Sequence, residues 1–256
     1  MKKQTWSSGP VEMPITGHLQ ELRQRIILSL AILIIFAGTA FYFSEILLGW
    51  LKTPLNTDLV FLSPAEAFWA DLKVSLFIGF LVAFPAIVYQ VWAYVSPGLL
   101  PGERALFLPF LSFGIFFFFS GIFFCYAVAL PFAIQFLIDY GRDAGVTPLI
   151  SVSSYVDFNI KILLAFGIIF ELPMAMVILG RMGFLTAEIL VQNRKYAILG
   201  AFVIAAIATP TPDIFNQLIM AGPLICLYEI GIITVRIFGK KKKTTTDQPE
   251  DDHASK

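Results

Sequence analysis

Apolar residues gather in six long runs, at 26–43, 74–95, 105–138, 162–179, 196–208 and 218–237, with polar and charged positions crowded between them. Crossing a hydrocarbon core of ~30 Å takes ~20 helical residues, and each of the first four runs can do so. The third run is longer than a span needs and is predicted to tilt, or to project from the membrane near Pro131. The fifth holds only ~13 apolar residues, or ~20 Å of helix. TPTPD at 209–213 then turns the chain, because proline cannot continue a helix. The pattern predicts an all-α integral membrane protein of six transmembrane helices, the last two forming a short hairpin.

Composition agrees with that reading. The 256 residues are 57% hydrophobic and only 14% charged, against roughly 25% charged in soluble domains. The net charge of zero hides a sorting by position. With the N-terminus placed inside, fourteen Lys and Arg fall on the inner face, and only Lys52, Lys73, Arg142 and Lys161 fall outside. That bias predicts cytoplasmic termini. The chain divides into an amphipathic segment at 1–25, a membrane domain at 26–238 and a charged, Thr-rich tail at 239–256, expected to be disordered. The polar first 25 residues do not resemble a cleaved signal peptide. Cys125 and Cys226 sit in apolar runs without metal-ligand spacing and read as small hydrophobes. No cofactor or metal site is implied.

Within AFGIIFELPMAMVIL, at 165–179, stands the carboxylate Glu171. A charge at mid-bilayer costs roughly 3 kcal/mol on insertion scales. Glu171 lies ten residues from Arg181, hence ~15 Å in from that end of its helix. Pro173 also deprives the carbonyl of Ile169 of its helical partner. The residue is either a contact point for another helix or for water, or a protonated acid hydrogen-bonded inside the bundle.

Two further acids stand where Lys and Arg dominate. In TGHLQELRQR, at 16–25, Leu19, Leu22 and Ile26 form an apolar face, with His18, Glu21 and Arg25 opposite. Glu21 and Arg25 also satisfy the ordinary i,i+4 pairing of a surface helix, and His18 reads as a polar helix residue. In YVSPGLLPGER, at 94–104, two Pro-Gly pairs precede Glu103. Glu103 is either compensation of a helix dipole or, with Glu21, a receiver for two guanidinium groups.

These residues bring a resemblance into view. HLQELRQR at 18–25, YQVWAYVSPGL with ER at 89–104, FELP at 170–173, TPTPDIFNQ at 209–217 and CLYEIG at 226–231 resemble the TatC family, the multispanning subunits of twin-arginine protein translocases. The resemblance implies six helices in a concave, glove-like arrangement and a receptor for the paired arginines of signal peptides on folded cargo. Glu21, Arg23, Gln90, Tyr94, Leu99 and Glu103 would form the peptide-binding surface. Glu171, Thr209 and Gln217 would face single-span TatA- or TatB-type subunits, and Pro54 and Asp213 would matter structurally on the outer side. It also implies self-association in a receptor complex, transport driven by the proton gradient, a bacterial cytoplasmic membrane, and no role for nucleic acid.

Other classes fit less well. An enzyme would need a nucleophile or metal motif; HExxH and GxSxG are absent, and neither His18 nor His253 lies in an apolar run. A proton- or ion-coupled transporter could use Glu171, but no inverted repeat accompanies it.

Overall fold

In a computed structural model, residues 15–55, 57–95, 107–143, 149–208 and 214–239 are described. They form α1 (Ile15–Tyr42), α2 (Ser44–Lys52), β1 (Leu59–Val60), α3 (Glu66–Val95), α4 (Phe107–Phe124), a π-helical turn (Cys125–Ala129), α5 (Leu130–Asp143), β2 (Ile150–Ser151), α6 (Val152–Phe170), α7 (Leu172–Arg181), α8 (Ala187–Gln192), α9 (Arg194–Ala208) and α10 (Ile214–Phe238). Five stretches, Gly17–Tyr42, Glu66–Tyr94, Pro109–Arg142, Val152–Arg181 and Gln217–Phe238, are long and apolar enough to cross a membrane. Helix is the form such stretches must take, since lipid offers no partner to an unpaired peptide group. Of the segment at 1–25, residues 15–25 belong to α1, which runs unbroken from Ile15 to Tyr42. Glu66–Lys73 forms the first turns of α3.

The chain divides into two compact units, 1–164 and 165–256, with the division inside α6. In the first unit, α1 and α3 pack closely because Gly79 presents no side chain to the backbone of Ala37. Small residues permit such approaches where lipid removes the hydrophobic drive between helices. Phe84 of α3 stacks on Phe118 of α4 with ring centroids 3.6 Å apart, and Phe118 is buried. Near Pro131, where the third run was expected to tilt or project, the helix is interrupted by the π turn, which ends two residues before that proline.

Side chains tie the connecting segments at one end of this unit. The hydroxyls of Tyr126 and Tyr155 donate to the last carbonyls of α2, those of Trp50 and Leu51, at 2.8 Å each. β1 and β2 pair in parallel, Leu59 with Ile150 and Val60 with Ser151. Beside them the Glu66 carboxylate accepts from Leu62 N–H at 2.7 Å and from Ser153 N–H at 2.8 Å. Lys73 Nζ donates to Asp157 and to Ser153 Oγ.

In the second unit, α7 and α10 run parallel in close contact: Gly231 faces Met176, and Gly180 faces Val235. Arg194 pairs with Glu229 at 2.7 Å, and Tyr228 donates its hydroxyl to the Leu190 carbonyl. The Thr186 hydroxyl caps α8 by accepting from Ile189 N–H. Gly183, at φ +83°, ends the turn after α7 in a conformation costly for side chains. The short final hairpin needs correction in its second arm. Helix α9 has 15 residues, but α10 has 25. Pro223 removes one backbone donor without ending the helix, which carries Arg236 in its last turn.

Candidate functional site

The first turns of α1 meet the last turns of α3. His18, Glu21 and Arg25, spaced three and four apart, share a helical face. Gln90 and Tyr94, four apart on α3, face them. The Arg25 guanidinium places both Nε, at 3.0 Å, and Nη2 on one oxygen of Glu21, Oε1. Its Nη1 donates across to Gln90 Oε1 at 3.2 Å. The second carboxylate oxygen, Glu21 Oε2, stands 3.9 Å from His18 Nδ1. The His18 ring lies flat on Tyr94, with centroids 4.4 Å apart and planes 16° from parallel. Glu21 and Arg25 are both about three-quarters buried.

A groove of about 410 Å³ adjoins the cluster. Its walls are Leu22, Ile26, Leu30, Leu33, Phe80, Ile87 and Val91, with Arg25, Gln90 and Tyr94 also lining it. The ionic cluster stands at one part of the lining, and the remaining walls are almost wholly apolar.

The structure thus unites three of the six residues expected at the peptide-binding surface: Glu21, Gln90 and Tyr94. Arg23 is exposed and pairs with no acid among the described residues. Arg25 holds the place in the cluster instead. Leu99 and Glu103 lie outside the described residues, as do Thr209 and Asp213. His18 and Arg25 were underread from sequence alone. The available signal was the shared face of His18, Glu21 and Arg25, matched by the four-residue spacing of Gln90 and Tyr94.

Glu171 occupies the joint between α6 and α7. Its N–H reaches back three residues to Ile168 at 3.1 Å, while Ala175 N–H closes on its carbonyl at 2.9 Å. Pro173, at the start of α7, explains the break. The side chain is partly buried and makes no hydrogen bond or ion pair among the described residues. Met176–Gly231 and Gly180–Val235 are each 55 positions apart, so α7 and α10 keep one register over that stretch. Cys226 is exposed, whereas Cys125 is buried. Gln217 lies nine residues before Cys226, or roughly 13 Å along the helix axis. Its Nε2 donates to the Phe202 carbonyl at 2.9 Å, tying α10 to α9. Pro54 follows α2 in a turn closed by Leu55 N–H on the Lys52 carbonyl at 2.8 Å.

Five apolar helical spans and a partly buried ionic cluster beside an apolar groove define a multi-pass membrane protein. The sequence profile of the family described as "Sec-independent protein translocase protein (TatC)" matches residues 17–223. A protein of that name from Aquifex aeolicus is 41% identical over 237 residues, covering 90% of this chain and 98% of its own. Another, from Carboxydothermus hydrogenoformans, is 37% identical over 233 residues, covering 90% and 96%. Two solved structures, both described as twin arginine translocase receptor TatC, superpose with TM-scores of 0.73 and 0.74. They are 40% and 41% identical to this chain, covering 86% and 88% of it and 98% and 100% of themselves. The chain belongs to the TatC family.

Proposed function

We propose that this protein is the receptor and core subunit of a twin-arginine translocation system, binding paired-arginine signal peptides of folded proteins through Glu21 and Glu103. The observation that carries the reading is the Glu21 carboxylate holding a guanidinium, that of Arg25, at the mouth of an apolar groove. The site already performs, on its own side chain, the recognition that an incoming arginine requires. An arginine of the peptide pairs with Glu21, a second with Glu103, and the apolar segment follows the groove of Leu22, Ile26 and Leu30. Gln90, Tyr94 and Leu99 border the path, with Arg23 at its rim.

Glu171 then serves single-span TatA- or TatB-type subunits. A carboxylate with no side-chain partner among the described residues, at a helix joint, can accept a hydrogen bond from a polar group on a neighbouring helix, with Thr209 and Gln217 further along the same route. Pro54 and Asp213 shape the outer connections. The membrane is the bacterial cytoplasmic membrane, both termini are cytoplasmic, and receptor subunits self-associate. The basic residues support that orientation, fourteen of eighteen falling on one side. The role is one of binding and recruitment rather than catalysis. Family membership supports it over a coupled transporter, for which Glu171 would need an ion-binding partner.

Binding of purified full-length protein to an Arg-Arg peptide, against a Lys-Lys control, tests the reading. Glu21→Gln and Glu103→Lys should each lower affinity for the Arg-Arg peptide at least tenfold, while Glu171→Gln leaves it unchanged and abolishes cross-linking to the single-span subunit. Normal binding by Glu103→Lys and Glu21→Gln would overturn the docking assignment.

A further inference from the structure

The carboxylate assigned to the peptide is not vacant in the free protein. Arg25 places two nitrogens on Glu21 Oε1. The pair is about three-quarters buried, so its charges are screened less than on an open surface. Together they carry no net charge, and an approaching arginine meets a guanidinium already in place. Two guanidiniums on one carboxylate oxygen would repel each other. Arg25, however, has a second acceptor: its Nη1 already donates to Gln90 Oε1 on α3 at 3.2 Å. Arg25 also lines the groove, and a long side chain of this kind can swing its head while its stem stays on an apolar surface.

We propose that Arg25 is a built-in competitor, a placeholder guanidinium that occupies Glu21 in the free receptor and moves wholly onto Gln90 when the signal-peptide arginine arrives. The proposal rests on the reading that Glu21 receives that arginine. Arg25 thereby keeps Glu21 from standing as a buried, unpaired charge between binding events. It also weakens the receptor for every cationic ligand alike, because the same contact is given up whichever ligand enters. Weak binding lets a receptor release its passenger for the next step. Gln90, a neutral acceptor, offers the displaced head a place without holding it as firmly as a carboxylate.

The test measures Kd for Arg-Arg and Lys-Lys peptides with the full-length protein in detergent, for wild type, Arg25→Gln, Arg25→Lys, Gln90→Leu, Glu21→Gln and the Glu21→Gln/Arg25→Gln double variant. Arg25→Gln should bind both peptides on the order of fivefold more tightly, with the ratio between them unchanged; a partly buried ion pair sets that scale. Arg25→Lys, which keeps a competing cation, should fall between wild type and Arg25→Gln. Gln90→Leu should bind severalfold more weakly, the displaced head having lost its acceptor. In the Glu21→Gln background, removing Arg25 should give no gain. Unchanged or weaker binding by Arg25→Gln, in a preparation that is monodisperse and melts as wild type does, overturns the placeholder while leaving Glu21 as receiver. A change in the peptide ratio overturns it too, since it would place Arg25 in direct contact with the peptide. Normal binding by Glu21→Gln overturns the receiver itself, a separate result.

Discussion

Gly79 of α3 lies so close to Ala37 of α1 that a Cβ built at the glycine would stand 2.5 Å from the Ala37 backbone nitrogen and Cα. Backbone inside a helix cannot move aside as a side-chain tip can. Gly79→Ala should therefore push the two helices apart and cost about 1–3 kcal/mol, the usual penalty of overpacking. The same change should weaken Arg-Arg peptide binding, because Arg25–Gln90 and His18–Tyr94 both bridge α1 and α3. Thermal melting in detergent and peptide titration check the two effects. A stable Gly79→Ala protein with normal binding would mean that the α1–α3 distance does not govern the site.

The approach of Gly231 to Met176 is of a different kind. Here the crowding atoms are the Met176 sulfur and terminal methyl, the flexible end of a side chain. Gly231→Ala should cost no more than about 1 kcal/mol, because methionine adapts its shape. Met176→Ala should restore much of that loss when combined with Gly231→Ala, although each destabilises alone. A double-mutant cycle on melting temperature measures the coupling. Additive losses would show that α7 and α10 do not bear on each other there.

Two carboxylates at the other end of α3's surroundings should differ sharply in weight. Glu66 is buried and satisfies the N–H groups of Leu62 and Ser153. Glu66→Ala leaves both donors without their acceptor, at about 1–3 kcal/mol for each that water cannot reach. Asp157 and Lys73 are 41% and 35% exposed, so solvent screens their pair. Asp157→Asn should cost under about 1 kcal/mol, and raising the salt concentration should shrink the loss. Comparable losses for the two variants would remove the distinction drawn from burial.

Much of this was legible along the chain. A run such as 74–95 announces its helix because one long apolar segment in lipid satisfies its own peptide groups only in that form, and Glu171 announced itself by standing in such a run. Pro173 located the break beside it, while the irregularity near Pro131 took the form of a π turn that the sequence had not indicated. The length of α10 was misjudged because TPTPD suggested a compact hairpin, while the helix continues through Pro223 to Phe238. Arg25 was read as an ordinary partner for Glu21, which it is. Its second acceptor, Gln90, lies 65 positions away. His18 gave no sign of its stacking partner, Tyr94, on another helix.

By itself the sequence determined that this chain is a bundle of membrane helices, which side its basic residues favour, and which acids stand in unusual company. Those features follow from local composition and period, on which lipid and water act residue by residue. Only the tertiary structure decided that Glu21 comes already occupied, and that His18 and Tyr94 form one surface with Arg25 and Gln90. Partners so distant along the chain meet only through the packing of α1 on α3, where Gly79 lies close against Ala37.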